Sequence, residues 1–426
     1  MKFYIYTLGC KVNTYESNVM RDLLLNDGYT EINEDEEADI VIINTCSVTN
    51  MADKKSIKMV HQLRKKHPKA ILIVTGCMTQ NKKELFDSKD VDIILGNRFK
   101  SKIIEYINEF KRTNEKIYDI KDISKVEFEE MSLNNFVGTR AFVKIQDGCN
   151  NFCSYCIIPY VRGNVRSKDE ISVLEEVKHL VEKGKKEVVL TGIHTGNYGR
   201  DLGTSLGHLL EKMVKIDGLK RIRISSIEIT ELDEVFMNVL KNEKVIVDHI
   251  HIPLQSGSNK ILKLMNRKYD KEYFIKKLET IREIRKDISI TTDVIVGFPD
   301  ETEEDFLECI DTIKKCKFTK IHVFPYSKRE GTPAAIMENQ VDEKIKKDRV
   351  KRLISLSETL EKEYMEKFIN KTVEVLPEIE KDGYLIGHTG NYLQIKYKGC
   401  KNDINNLVNI KINSSNYPYL EGTKID

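Results

Sequence analysis

The chain has 426 residues, with 69 Lys and Arg against 67 Asp and Glu and a formal net charge of +2. That length allows two to three domains with ample core, and the balanced charge argues neither for nor against a nucleic-acid partner. Nine cysteines, six of them in two groups of three, suit metal ligation in a reducing compartment and exclude a disulfide framework as the organising principle. The other three, Cys309, Cys316 and Cys400, are expected to be inert thiols. No run approaches the ~20 apolar residues of a membrane span, and the amino-terminal stretch is too short and wrongly flanked for a signal peptide. A cytoplasmic protein with no membrane partner is therefore expected.

The first domain is expected over 1–122. Apolar runs at 3–10, 40–46 and 71–77 read as strands, each ending in a cysteine: Cys10, Cys46 and Cys77. Helix-like stretches at about 15–26 and 52–66 lie between them, and strands alternating with helices imply a parallel sheet. Parallel strands all end on one side, so cysteines at successive carboxyl ends converge at the edge where open α/β sheets place ligands. Three thiols can thereby face one centre. Residues 54–69 carry seven Lys and Arg and no acid, a stretch suited to phosphate contacts.

A polar connection over about 124–139 leads into a second domain, placed at 135–366. Six strand-like runs (141–146, 187–193, 220–227, 248–255, 288–297 and 320–326) alternate with helical stretches, giving a partial (βα)6 barrel where a complete one needs eight units. In 249–255 the apolar set is Ile250, Ile252 and Leu254, while His249, His251 and Gln255 share the other face. Lys144 and Gln146 alternate in the same way with Val143 and Ile145. The apolar face must meet the helices, so the lumen is expected to be polar and able to hold a ligand. Just past the first strand comes Cys149-Asn150-Asn151-Phe152-Cys153-Ser154-Tyr155-Cys156. A structural zinc or an electron-transfer cluster takes four protein ligands; CxxxCxxC supplies three and leaves a coordination position open. A long helix is expected over 343–367. Short runs at 372–376, 384–389, 392–397 and 407–412 then suggest a small β-barrel over 367–426, with Tyr384, Tyr392 and Tyr397 as candidates for stacking on bases.

On these motifs, together with Thr7-Leu8-Gly9-Cys10-Lys11-Val12-Asn13, Glu16-Ser17, Asn44-Thr45-Cys46, Thr75-Gly76-Cys77, His251 to Ser258 and Val296-Gly297-Phe298-Pro299, the chain resembles the radical S-adenosylmethionine methylthiotransferases over its whole length. The fold this implies is α/β: an N-terminal open parallel domain, a partial TIM-like radical SAM barrel, and a small C-terminal β-barrel of the TRAM type. The resemblance implies two 4Fe-4S clusters, one on Cys149, Cys153 and Cys156 that binds S-adenosylmethionine and generates a radical, and one on Cys10, Cys46 and Cys77 that carries sulfur. It also implies tRNA, through its anticodon stem-loop, and an external electron donor as partners.

The Gly-Cys-Lys-Val-Asn form with Glu-Ser is closest to the MtaB-type branch, which acts on threonylcarbamoyl adenosine beside the anticodon. The isopentenyl-adenosine branch reads Gly-Cys-Gln-Met-Asn there, and the ribosomal-protein aspartate branch Gly-Cys-Pro-Lys-Asn. A non-catalytic iron-sulfur or RNA-binding protein is the alternative of a different class. Lys11 is a candidate partner for the threonylcarbamoyl carboxylate. Gly192, Thr195 and Gly196, after the second barrel strand, and Ser225, Glu228, Gln255 and Asp293, on inward faces or strand ends, are the candidate cofactor-binding residues. The histidines are expected to be scaffold.

Overall fold

The computed structural model describes residues 1–426 apart from 87–89, 124, 125, 135, 137 and 426, and apart from the side chain of Lys83. Ser124, Lys125, Asn135 and Val137 of the expected connection thus lie outside the described residues. Six parallel strands form the N-terminal sheet in the order Thr30–Glu31, Lys2–Thr7, Ile40–Thr45, Ile71–Gly76, Ile93–Leu95, Ile117–Asp119. Every residue of Ile40–Thr45 is buried, as a central strand covered on both faces requires, and its β-branched side chains suit that place. The pairings Thr7 with Asn44 and Thr45 with Gly76 bring the three central strands to nearly the same level. Cys10, Cys46 and Cys77 therefore leave the sheet at one edge.

Glycine is needed at two of these exits. A Cβ on Gly76 would lie 2.4 Å from the Thr45 carbonyl oxygen, and one on Gly9 2.9 Å from Cys46 Cβ; both have positive φ. The helix expected from residue 15 starts four residues earlier, at Lys11, and runs to Asn26. Its first turn lacks the apolar repeat because it faces the site: Asn13 is buried and donates to the Leu8 and Thr45 carbonyls at 2.7 and 2.9 Å.

The middle of the chain holds the expected six strands, Arg140–Lys144, Glu187–Thr191, Arg221–Ile224, His249–His251, Ser289–Val296 and Lys320–Pro325. They form two three-stranded parallel sheets joined by bridges between Ser226 and His251 and between Ile222 and Ile246. Val143, Val188, Leu190, Ile222, Ile224 and Ile250 pack outward with the helices in one apolar core, leaving the other face polar. The fourth strand is shorter than expected: it stops at His251, and Gln255 has φ of +66°.

The helix Glu343–Glu366 leads to a closed five-stranded barrel of Thr372–Lys381, Tyr384–Thr389, Gln394–Lys398, Val408–Asn416 and Tyr419–Ile425. Two of the tyrosines offered for base stacking are engaged within the protein. Tyr397 is core and bonded to Asp403, and Tyr392 sits in a turn, stacked on His388 with ring centroids 4.7 Å apart. Among the described residues no helix is long and apolar enough to cross a membrane.

One ionic network joins the first two domains. Glu16, fully buried, accepts from Lys100 at 2.5 Å and from Lys144 and Arg162 at 2.8 Å. Asp147 meets Lys144 at 2.7 Å, Arg162 at 3.2 Å and Arg166 at 3.3 Å. Burial pushes the Glu16 carboxyl up, but Arg162, Lys100 and Lys144 together hold it well below the usual carboxylate range; Lys144 and Arg162 lower Asp147 likewise.

Glu16→Gln should cost about 3–5 kcal/mol of unfolding free energy, read by urea denaturation of the apo chain, because it strands buried cations. Both carboxyls titrate lower folded than unfolded, so their contribution is complete above about pH 4 and is lost as pH falls through the depressed folded values. The variant should flatten this acid limb. A loss below about 1 kcal/mol would show that the network does not stabilise docking.

Candidate functional site

At the edge of the N-terminal sheet, Cys46 and Cys77 are buried and Cys10 is accessible. Burial, and then the neighbouring Cys77, pushes the Cys46 thiol up to about 12. Arg162 donates through Nε to Cys77 Sγ at 3.3 Å and through Nη2 to Asn13 Oδ1 at 2.7 Å. The second triad lies in the loop after Gln146–Asp147. Burial, followed by Cys153 and Cys149, pushes Cys156 up to about 12. Arg267 donates to Cys153 Sγ at 3.2 Å, and His194 Nδ1 lies 3.4 Å from Cys149 Sγ. Crowded, buried thiols beside guanidinium donors suit thiolates that a cationic core would stabilise. Among the described residues no three His, Cys, Asp or Glu side chains are grouped closely enough to hold a single metal ion. Three thiols without a fourth protein ligand are the donor set of a cluster with one open iron, not of a closed structural metal site.

The expected cofactor-binding residues divide into three groups. Gly192 packs against Gln146, where a Cβ would lie 2.9 Å from Oε1, and Gly196 packs against Glu231 and Ile227. Thr195 Oγ1 lies 3.0 Å from Ser225 Oγ. These residues adjoin His194, whose backbone N–H donates to Gln146 at 2.7 Å. Glu228 is the hub of a second group: it accepts from Asn151 at 2.7 Å and Arg267 at 2.9 Å, and His194 Nε2 is 3.4 Å away. Burial lowers His194, but its bonds to Cys149, Glu228 and Glu231 outweigh this and raise it to about 12. That one of its partners is a cysteine sulfur was not read from the sequence, where a histidine two residues past Gly192 was the available signal.

Gln255 and Asp293 form the third group. With Cys156, Tyr155 and Phe324 they line a cavity of about 230 Å³, to which Val48 and Thr49 of the N-terminal part also contribute. Asp293 and Phe324 also line a second cavity of about 430 Å³ in the barrel lumen, with Ser225, His249, Lys11 and Tyr392. The two cavities share these residues, so the lumen lined by Lys11, which follows Cys10, adjoins the cavity lined by Cys156. A larger concavity, about 800 Å³, is a surface cleft beside Arg21, Arg140 and Glu378 with no cysteine in its lining. The lumen is where thiols and convergent polar groups coincide.

A model described as uncharacterized protein family UPF0004 matches residues 2–96, and the Radical SAM superfamily matches 143–313. Threonylcarbamoyladenosine tRNA methylthiotransferase MtaB of Bacillus subtilis (strain 168) is 44% identical, with 98% of this chain and 95% of the relative aligned. The protein of the same name from Aquifex aeolicus (strain VF5) is 39% identical, covering 97% and 100%. The tRNA-2-methylthio-N(6)-dimethylallyladenosine synthase of Clostridium novyi (strain NT) is 38% identical, covering 99% and 96%. The radical S-adenosylmethionine methyltransferase TsrM from Kitasatospora setae superposes with a TM-score of 0.60 at 13% identity, over 79% of this chain and 74% of that one, a likeness of fold alone. With both triads at the domain junction and this similarity along its whole length, the chain belongs to the radical S-adenosylmethionine methylthiotransferase family, which works with S-adenosylmethionine and a 4Fe-4S cluster.

Proposed function

We propose that the chain adds a methylthio group to carbon 2 of N6-threonylcarbamoyl adenosine at position 37, beside the anticodon of tRNA. The observation that carries this is the pair of three-thiol groups held on one buried ionic network, in a chain 44% identical to a relative named for that reaction. Overall identity is 44% and 39% to the two relatives of that name and 38% to the dimethylallyladenosine one. The Gly9-Cys10-Lys11-Val12-Asn13 form favours the threonylcarbamoyl substrate.

In this reading Cys149, Cys153 and Cys156 hold the cluster that receives S-adenosylmethionine, and Cys10, Cys46 and Cys77 hold a second 4Fe-4S cluster. When bound, these groups supply the radical, the sulfur and the methyl group. The chain orients them. Arg267 and His194 stand beside the Cys153 and Cys149 sulfurs, while Glu228 fixes both cations. Gln255 and Asp293 present polar groups to the cavity beside Cys156, and Ser225 does so in the lumen; Gly192, Thr195 and Gly196 keep the loop next to His194 close to the barrel. An external donor supplies electrons, and the work takes place in the cytoplasm, where tRNA is modified. The division of the chain at 1–122, 135–366 and 367–426 is part of this reading.

Replacing Cys149, Cys153 and Cys156 by alanine should abolish release of 5′-deoxyadenosine while leaving roughly half the iron. The corresponding change at Cys10, Cys46 and Cys77 should spare that release and stop methylthio transfer. Repeated turnover by the upstream triple variant, followed by mass spectrometry of tRNA nucleosides, would refute the sulfur-donor role.

The helix Asn50–Lys66 is assigned to tRNA. Lys54, Lys55, Lys58 and Lys65 are exposed on it, whereas Arg64 is tied to Asp92 at 2.6 Å. Phosphate contacts from such a row weaken with salt. Reversing Lys58 and Lys65 to Glu should raise the tRNA Kd and lower the salt slope by about 2, since each lost contact removes about 0.9. Equal binding by variant and parent at low and high salt would mean a merely solvated face.

A further inference from the structure

The lumen cavity of about 430 Å³ brings together residues from all three parts of the chain: Lys11 from the first, Arg223, His249 and Ser289 from the barrel, and Tyr392 from the terminal barrel. Its volume is in the range of small-molecule pockets, ~300–1,000 Å³. Most of its ionic groups are already paired. Arg223 is bound to Glu187 at 2.7 Å, Lys320 to Glu361 at 3.0 Å, and His251 lies 3.2 Å from Asp293. Lys11 is different: among the described residues no carboxylate forms an ion pair with it, and it is accessible. Two buried polar atoms in the lining, His249 Nδ1 and Ser289 Oγ, also have no hydrogen-bond partner among the described residues. Tyr392 is held beneath the guanidinium groups of Arg223 and Arg140, at 4.7 and 5.2 Å, and against His249 with centroids 4.9 Å apart.

An ammonium with no carboxylate partner among the described residues, lining one cavity with two polar atoms that lack partners and with the guanidinium of Arg223, is a site for a small anion carrying further polar atoms. We infer that this cavity receives the threonylcarbamoyl substituent of the substrate base, with Lys11 pairing its carboxylate and Tyr392 of the terminal barrel forming part of the wall. The inference rests on the functional reading above and adds the residues that select the substituent. Lys11 directly follows Cys10, and the cavity shares Asp293 and Phe324 with the one that Cys156 lines, so the pocket adjoins residues of both thiol groups. A hydrocarbon substituent would leave Lys11, His249 and Ser289 unpaired, a mismatch that polar sites reject strongly. Lys11 and Tyr392 are thus specificity-determining residues, and the terminal barrel takes part in choosing the modified base.

The test uses the full-length reconstituted enzyme and three anticodon stem-loop RNAs, bearing at position 37 threonylcarbamoyl adenosine, its carboxamide in place of the carboxylate, or isopentenyl adenosine. Methylthio product is followed by mass spectrometry. The parent should prefer the acid to the carboxamide by about 10- to 100-fold in kcat/KM, as expected for one hydrogen bond to a charged group. Lys11→Met should bring that ratio close to one, chiefly by raising KM for the acid, and Lys11→Arg should keep most of it. Tyr392→Ala should reduce the ratio as well. Because a ratio does not depend on the fraction of active enzyme, partial loss of folding cannot imitate the result. If the parent uses the acid and the carboxamide equally, or Lys11→Met keeps the parent's ratio, the pocket assignment is wrong while the proposed function stands. If the parent reacts only with the isopentenyl RNA, the functional reading fails and the pocket assignment falls with it.

Discussion

The buried network around Glu16 and Arg162 is the constraint on which the rest of the structure depends. Removing charges from water is costly, and attraction repays that cost only where geometry is good and hydrogen bonds are complete. Glu16 and Lys100 belong to the first domain, and Lys144, Asp147, Arg162 and Arg166 to the second, where three buried cations share the carboxylate of Asp147 and two of them, Lys144 and Arg162, are completed by Glu16. Four cations face two carboxylates, Glu16 and Asp147, and this leaves an excess of positive charge. Arg162 directs part of that excess at Cys77 Sγ. The network thereby ties the two parts that carry the thiol groups together and supplies counter-charge to one of them.

Much of this was legible because it rests on short-range pattern. Alternating apolar runs marked the parallel strands, and cysteines at successive strand ends marked the edge of the sheet. The polar lumen followed from the alternation in 249–255 and 141–146, and it is present, as Arg223 buried on the inner face illustrates. The pairing of the two thiol groups could not be read in the same way. It depends on contacts between residues as distant as Glu16 and Arg162, and a buried ion pair leaves no periodic trace. Both residues sat in or beside the motifs, but only the docked structure shows them bonded.

The errors have physical causes of the same kind. The start of the helix Lys11–Asn26 was placed late because its first turn spends its side chains on the site instead of on apolar packing, with Asn13 tied to two carbonyls. Gln255 was grouped with His249 and His251 by a period of two, but the strand ends at His251 and Gln255 has positive φ. It reaches the cavity beside Cys156 by a turn. Tyr397 was a candidate for RNA because an aromatic residue in a small barrel can stack on a base; the closed five-stranded barrel needs a large side chain in its interior, and Tyr397 fills it.

Tyr392 shows how the third unit is tied to the chemistry. The inner-face arginines hold the terminal barrel against the lumen: Arg221 reaches Glu374 and the His388 carbonyl, and Arg223 reaches the carbonyls of Thr389 and Gly390. These contacts fix the turn that carries Tyr392, where φ is +69°. A module that served only to add affinity for RNA would need no such insertion. Because the same guanidinium of Arg223 also binds Glu187 inside the barrel, displacement of the terminal unit would expose a buried ion pair and alter the wall of the cavity together. Placement of the terminal barrel and the shape of the lumen are therefore one structural variable.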